Sequence, residues 1–287
     1  MSHFIILVVV ILLPVLASGS NQTHHNVSTN THARRGFYAK GAMVEYLVSI
    51  RTRHKIYAWG DNHFCSGALL TSRWVLTAAG CVTTRSGTIR RRTSRKNLKV
   101  VVYTPFRLKK PYEHNIIPVE KVVLSDVRNI CCQDLVLIKL EYAARGNQNH
   151  VMKLPSRELS EDWLCFSLGW GRMYHNGPIT NLLIRRVLRK VDSSQCARAC
   201  GGPHLFCMTS YSGRNNIGQT DMGTPVFCGT TVYGVAGQYH STRQRTNFVY
   251  ASTYAHRDFI LKVLATGSTL SRSLLSIVLA GLLCVLN

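Results

Sequence analysis

The chain has 287 residues, with 35 Lys+Arg against 13 Asp+Glu and a formal charge of +22. At 46% hydrophobic and 17% charged it is too apolar to be disordered throughout, and it is long enough to bury a full core as one large domain or two small ones. Ten cysteines argue for an oxidising compartment and against cytosolic metabolism.

Phe4–Leu16 is an almost unbroken apolar run, followed by Ala17, Ser18 and Gly19. A short apolar run near the N-terminus that ends in small residues is the layout of a secretory leader, here residues 1–17. The alternative, a membrane anchor, suffers because the run is shorter than the ~20 residues a span needs. Residues 18–35 form a polar segment with glycosylation sequons at Asn21 and Asn26, which belong on exposed backbone. It ends in Arg34-Arg35, either a site for a basic-specific convertase or a pair of exposed arginines. His24, His25 and His32 in this segment read as solvated linker rather than metal ligands.

From 36 to 265 short runs rich in Val, Ile and Tyr alternate with polar, turn-like stretches. Examples are Val44–Ile50, Val100–Tyr103, Leu135–Leu140 and Thr231–Ala236. Only Arg257–Leu264 reads as an amphipathic helix, and it closes the domain. Many short strands without alternating helices predict an all-β barrel or sandwich.

Within this region the charge is concentrated. Arg85, Arg90, Arg91, Arg92, Arg95, Lys96, Lys99, Arg107, Lys109 and Lys110 follow one another with no carboxylate between them. A second cluster, Arg185-Arg186 and Arg189-Lys190, lies on another strand. One-signed runs favour binding over a merely solvated face, so Arg90, Arg91, Arg92, Arg95, Lys96 and Lys99 are the candidate polyanion site. Outside the cell the polyanions are glycosaminoglycans, sialylated surfaces, acidic proteins or anionic lipid. No nucleic-acid-binding motif accompanies the charge.

Residues 266–287 form an apolar tail, Leu274–Leu286, behind the small residues Ala265–Ser268 and a short polar spacer. Small residues, spacer and apolar terminus match a GPI-attachment signal, although the spacer is shorter than the usual ~8–12 residues. A last amphipathic strand or an interfacial segment is the alternative.

Several blocks together carry a resemblance. His63–Leu70 (HFCSGALL) and Arg73–Cys81 (RWVLTAAGC) resemble the HFCGGSLI and RWVLTAAHC blocks of trypsin-like serine proteases. Asp134–Leu140 resembles DIALLKL, Cys165–Gly171 resembles CxxxGWG, and Asp221–Cys228 (DMGTPVFC) resembles DSGGPLVC. Blocks in family order over about 36–265 imply two packed six-stranded β-barrels, a C-terminal α-helix, and a cleft between the barrels.

The same resemblance shows what is missing. Acyl transfer in that family needs a serine, a histidine base and an aspartate. The aspartate position is Asp134, the histidine position is Gly80, and the serine position is Met222. Glycine cannot accept the proton, and a thioether cannot turn over as an acyl acceptor. The first oxyanion-hole glycine position is Thr220, and the pocket base aligns with Asn216. The IVGG start is absent, so insertion of an N-terminus beside Asp221 is not expected.

The resemblance also implies disulfides Cys65–Cys81 and Cys165–Cys228, with Cys207 paired to Cys196 or Cys200. The family's bridge across the specificity pocket is absent, with Gly218 at one partner position. Cys131 and Cys132 stand on the cleft rim, where one bridge to the Cys196/Cys200 loop or a vicinal or free thiol are both open; Cys284 lies in the tail. A zinc site from Cys196, Cys200, His204 and Cys207 is disfavoured against a bridge. No metal or other cofactor is implied.

The expectation is a secreted, surface-attached, non-catalytic serine protease homolog. It would bind an extracellular protein, such as an active protease or its substrate, or an acidic polysaccharide or cell surface. The alternatives are an endopeptidase with altered chemistry and a polyanion-binding module whose cleft is incidental.

Overall fold

In the computed structural model, the described residues are 41–86, 89–125, 135–146, 152–172, 178–192, 204–211, 221–241 and 246–266. The leader, both sequons, Arg34-Arg35, Asp134, the cysteines 131, 132, 196, 200 and 284, Asn216, Gly218, Thr220 and the apolar tail lie outside them.

The first barrel closes in the order β1-β2-β3-β8-β7-β6. Its strands are β1 (Leu47–Thr52), β2 (His63–Thr71), β3 (Trp74–Ala78), β6 (Leu98–Val102), β7 (Ile116–Leu124) and β8 (Leu135–Leu140). The second closes as β10-β11-β14-β13-β12-β9. It contains β9 (Leu164–Gly169), β10 (Ile184–Val191), β11 (Leu205–Ser210), β12 (Pro225–Cys228), β13 (Thr231–Ser241) and β14 (Thr246–Ser252). All pairings within the barrels are antiparallel, and closure leaves neither barrel an open edge. A separate two-stranded ladder, β4 (Thr83–Ser86) with β5 (Ile89–Arg92), projects after β3. A helix over 257–266 follows β14. The expected double six-stranded barrel with a terminal helix is therefore observed. One element differs: 44–46 belong to a 3-10 turn, Gly41–Tyr46, and β1 begins only at Leu47.

The barrels form because their strands fill interiors with β-branched and leucine side chains. Val48, Ile50, Val75, Leu76, Val100, Val102, Leu135 and Leu137 are fully buried in the first, and Leu188, Met208, Val226 and Tyr250 in the second. One continuous apolar cluster runs from the first barrel through Trp170 and Leu183 to Val232, Val235 and Ile260. The barrels are also stitched by polar bonds. Trp170 Nε1 donates to Pro105 O at 3.0 Å, and Leu183 N–H donates to the same carbonyl at 2.8 Å. Cys65–Cys81 and Cys165–Cys228 are bonded, with sequence separations of 16 and 63 residues. Loops of those sizes imply about 3 and about 4 kcal/mol of denatured-state restriction. Cys207 is also disulfide-bonded.

Candidate functional site

Two of the cleft positions named from the sequence, Gly80 and Met222, meet where the barrels touch. Gly80 sits in the short 3-10 turn Ala79–Cys81 that ends β3, held by the Cys65–Cys81 bridge. Met222 lies in the tight turn before β12. Its backbone joins the first barrel, since Ser66 N–H donates to Met222 O at 2.9 Å. Thr77 Oγ1 donates to Ser66 O at 2.7 Å and fixes that strand in turn. On the other side Gly223 N–H donates to Ala236 O at 2.7 Å.

The two substituted positions are in contact. A Cβ placed on Gly80 would stand 2.7 Å from Met222 Sδ and 3.7 Å from its Cε. The thioether therefore fills space that any side chain at position 80 would need. Gly80 and Met222 thus share one space at the barrel contact. Neither a glycine nor a thioether carries a proton to give or take, so this pair offers no general base and no acyl acceptor.

Beneath Met222 lies a feature that the sequence reading missed. Asp221 and Arg186 are both 0% exposed at their side chains, with Arg186 Nη1 3.2 Å from Asp221 Oδ1. Arg186 Nη2 donates to Arg172 O at 2.7 Å. Gly171 is required here, because a Cβ on it would fall 1.9 Å from Asp221 Oδ2. Tyr250 is buried alongside, its phenol pushed well above the ordinary value, chiefly by burial. An internal guanidinium thus neutralises the carboxylate below the cleft turn. Removing one partner of such a pair strands a charge in a low-dielectric interior.

This corrects the expectation of a second cationic surface at 185–190. Arg186 is spent inside. Arg185 lies over the Phe166 ring at 5.0 Å, and Lys190 Nζ donates to Leu159 O at 3.1 Å. Only Arg189 of the four is classed as fully exposed. A signal was available: Ile184, Arg186 and Leu188 alternate, which puts Arg186 on the apolar face of β10.

The long basic run is likewise not one loop. Arg85, Arg90, Arg91 and Arg92 occupy the β4–β5 ladder, with Arg85 opposite Arg90, Thr84 opposite Arg91 and Thr83 opposite Arg92. Thr83 Oγ1 donates to Ala79 O at 2.8 Å, which ties this ladder to the turn holding Gly80. Arg95 and Lys96 are exposed on the next 3-10 turn, Arg95–Asn97, and Arg95 Nη1 donates to Glu120 O. Glu120 also pairs with Arg73 at 2.7 Å and Lys139 at 2.8 Å. Its carboxyl is held below the usual range, first by the Lys139 hydrogen bond. Lys99 points elsewhere: its Nζ donates to Arg53 O at 2.9 Å and stands 5.0 Å from the Trp59 ring centroid. Arg107 is half-buried, donating to Gly60 O and Thr180 O, both at 3.0 Å.

A second buried arginine organises the first barrel. Arg51 is fully buried, and burial, then Arg107, lowers it to about 10. Its Nε donates to Ser49 Oγ at 2.8 Å, and that hydroxyl lies 2.8 Å from His63 Nδ1. His63 is pushed down to about 3, by burial first and then by Arg51 and Arg107, so it is neutral across the physiological range. Its ring packs edge-on to Trp170 at 5.4 Å and is part of the barrel contact.

Among the described residues no group of three or more His, Cys, Asp or Glu is arranged to hold a metal. Cys207 is committed to a disulfide, and His204 lies beside His256 with ring centroids 5.2 Å apart.

Comparison with known proteins agrees with this geometry. Residues 34–260 match the family model described as Trypsin. The chain is 28% identical to trypsin of Xenopus laevis over 218 residues, covering 73% of this chain and 81% of the relative. It is 30% identical to trypsin-3 of Salmo salar over 217 residues, covering 71% and 84%. Among solved structures, human heparin binding protein superposes with a TM-score of 0.63 at 22% identity, over 80% of this chain and 96% of the other.

Proposed function

This chain belongs to the trypsin family, and we propose that it is a non-catalytic member that works outside the cell by binding acidic polysaccharide. The observation that carries the reading is the contact between Met222 Sδ and the Cβ position of Gly80, 2.7 Å apart. A protease that had merely lost one group would keep the room for it; here the room itself is filled. The binding half rests on the +22 charge and on the exposed basic segment at Arg95 and Lys96, next to the ladder that carries Arg90, Arg91 and Arg92. Guanidinium forks suit planar or tetrahedral oxyanions, and several weak contacts acting together give affinity that falls with salt. Human heparin binding protein, alike in fold, is named for such a ligand, which supports the same reading for this chain.

Two measurements test it. Purified protein should show no peptide hydrolysis and no labelling by a serine-directed fluorophosphonate, and turnover lost on replacing Asp134 would refute the non-enzymatic reading. On a heparin column the wild type should need high salt, and Arg90/Arg91/Arg92→Ala should elute much earlier with its fold intact. Equal elution would remove the ladder from the site. The leader, the sequons at Asn21 and Asn26, and a lipid attached within Ala265–Ser268 would put the protein at the cell surface. Release by a phosphatidylinositol-specific phospholipase checks the anchor. Among the described residues no helix is long and apolar enough to cross a membrane.

A further inference from the structure

We infer that a second face, built from the loops at 53–61 and 106–112, docks onto anionic lipid surfaces. It begins beside the polysaccharide segment, where Arg53 N–H donates to Asn97 O at 2.7 Å, and differs from it in carrying large exposed hydrophobic residues. The first observation is exposed apolar surface. Ile56 is 67% exposed, Tyr57 89%, Leu108 45% and Tyr112 77%. Side chains of this size left in water on adjoining loops mark a contact surface.

The second observation is that the tip is held out rather than left to collapse. The Asp61 carboxylate accepts from the backbone N–H groups of Ile56 at 3.0 Å and Ala58 at 2.7 Å, and also from that of Tyr57. These bonds, the Ala58 and Tyr57 contacts among them, hold its carboxyl below the ordinary range although burial opposes them. Arg107 Nη1 bonds to Gly60 O at 3.0 Å, which fastens the second loop to the first. Tyr112 stacks on His114 with centroids 5.6 Å apart.

The third observation is the sign of the surrounding charge. Lys55 and Lys109 are exposed beside the tip, and Lys99 and Lys110 flank Trp59, with Nζ atoms 5.0 and 5.9 Å from its ring centroid. The carboxylates in these loops are already engaged, Asp61 by the backbone and Glu113 by Lys110. The face therefore presents cations around aliphatic and aromatic tips. That is the chemistry of an anionic membrane interface, where lysines meet headgroups and Ile, Leu and Tyr enter the acyl boundary. A hydrophilic sulfated chain would satisfy the lysines but leave Ile56 and Leu108 in water. The turn Arg95–Asn97, by contrast, is cationic and carries no large exposed hydrophobic residue.

The test uses the full chain and sedimentation with vesicles of phosphatidylcholine alone or mixed with phosphatidylserine, in parallel with heparin elution. Wild type should bind the anionic vesicles and not the neutral ones, a distinction that insertion of an apolar tail would not make. Ile56→Ser/Tyr57→Ser should weaken vesicle partition about tenfold or more while leaving heparin elution unchanged. Lys109→Gln/Lys110→Gln should weaken it by a similar factor and flatten its salt dependence. Absence of anionic-vesicle binding, or equal binding by the Ile56/Tyr57 variant, overturns the proposal. Loss of heparin retention with vesicle binding intact also overturns it, and would assign the face to polysaccharide.

Discussion

The cleft and the outer basic segment are built from similar residue types and behave as opposites. In the cleft, side chains come as fitted pairs: Met222 against Gly80, and Arg186 against Asp221. On the outside, Arg95 and Lys96 stand in solvent, next to a ladder in which arginine follows arginine. A buried charge must find its partner inside the protein, because water is absent and the penalty for an unpaired ion is several kcal/mol. An exposed one is solvated whether or not a ligand arrives. Interior substitutions should therefore be strongly coupled, and exterior ones nearly additive.

The largest expected effect breaks the interior pair. Arg186→Gln removes the buried cation beside Asp221 and should cost about 3–5 kcal/mol in chemical unfolding. Arg186→Met combined with Asp221→Leu should recover much of that loss, and two independent penalties that simply add would refute the coupling.

The next effect concerns the filled cleft. Gly80→His requires the flexible Met222 side chain to move aside and should cost up to about 1 kcal/mol. Most of that cost should vanish in a Met222→Ser background, and an unchanged cost there would show that the contact is not the obstacle. That double variant should still hydrolyse little.

A pH-dependent effect comes from His63. Its proton affinity is depressed to about 3 in the fold, against about 6.5 when unfolded. Between those values the unfolded chain binds the extra proton, so stability rises with pH through this window and is fully present above it. His63→Gln should flatten the pH dependence of unfolding there by up to about 1.4 kcal/mol per pH unit. A slope unchanged by the substitution would mean that other groups carry the titration.

The smallest stability effect belongs outside. Arg95→Ala and Lys96→Ala should each change unfolding by within about 0.5 kcal/mol, and their elution shifts on heparin should add. A large stability loss from either of them would erase the contrast with Arg186.

The two barrels, the terminal helix and the Cys65–Cys81 and Cys165–Cys228 pairs were legible from ordered blocks of residues. The absence of a transferable proton at Gly80 and Met222 was legible too, since a residue's chemistry travels with its letter. The fate of the charges was less legible. Arg185-Arg186 looked like a surface cluster because neighbours in sequence were read together, whereas a strand turns successive side chains to opposite faces. The alternation Ile184, Arg186, Leu188 carried the correction, but not the identity of the partner. Lys99 and Arg107 belong to one basic run in the sequence, yet they turn toward Trp59 and Gly60.

Sequence alone thus determined the architecture, because strand pattern and cysteine placement are local or ordered along the chain. It also placed at 80 a glycine and at 222 a methionine, neither of which carries a transferable proton. Only tertiary structure decided that Met222 occupies the space above Gly80 and that Arg186 reaches Asp221. Those contacts join residues far apart in the chain, and no local propensity encodes a partner that barrel closure alone brings within 3.2 Å.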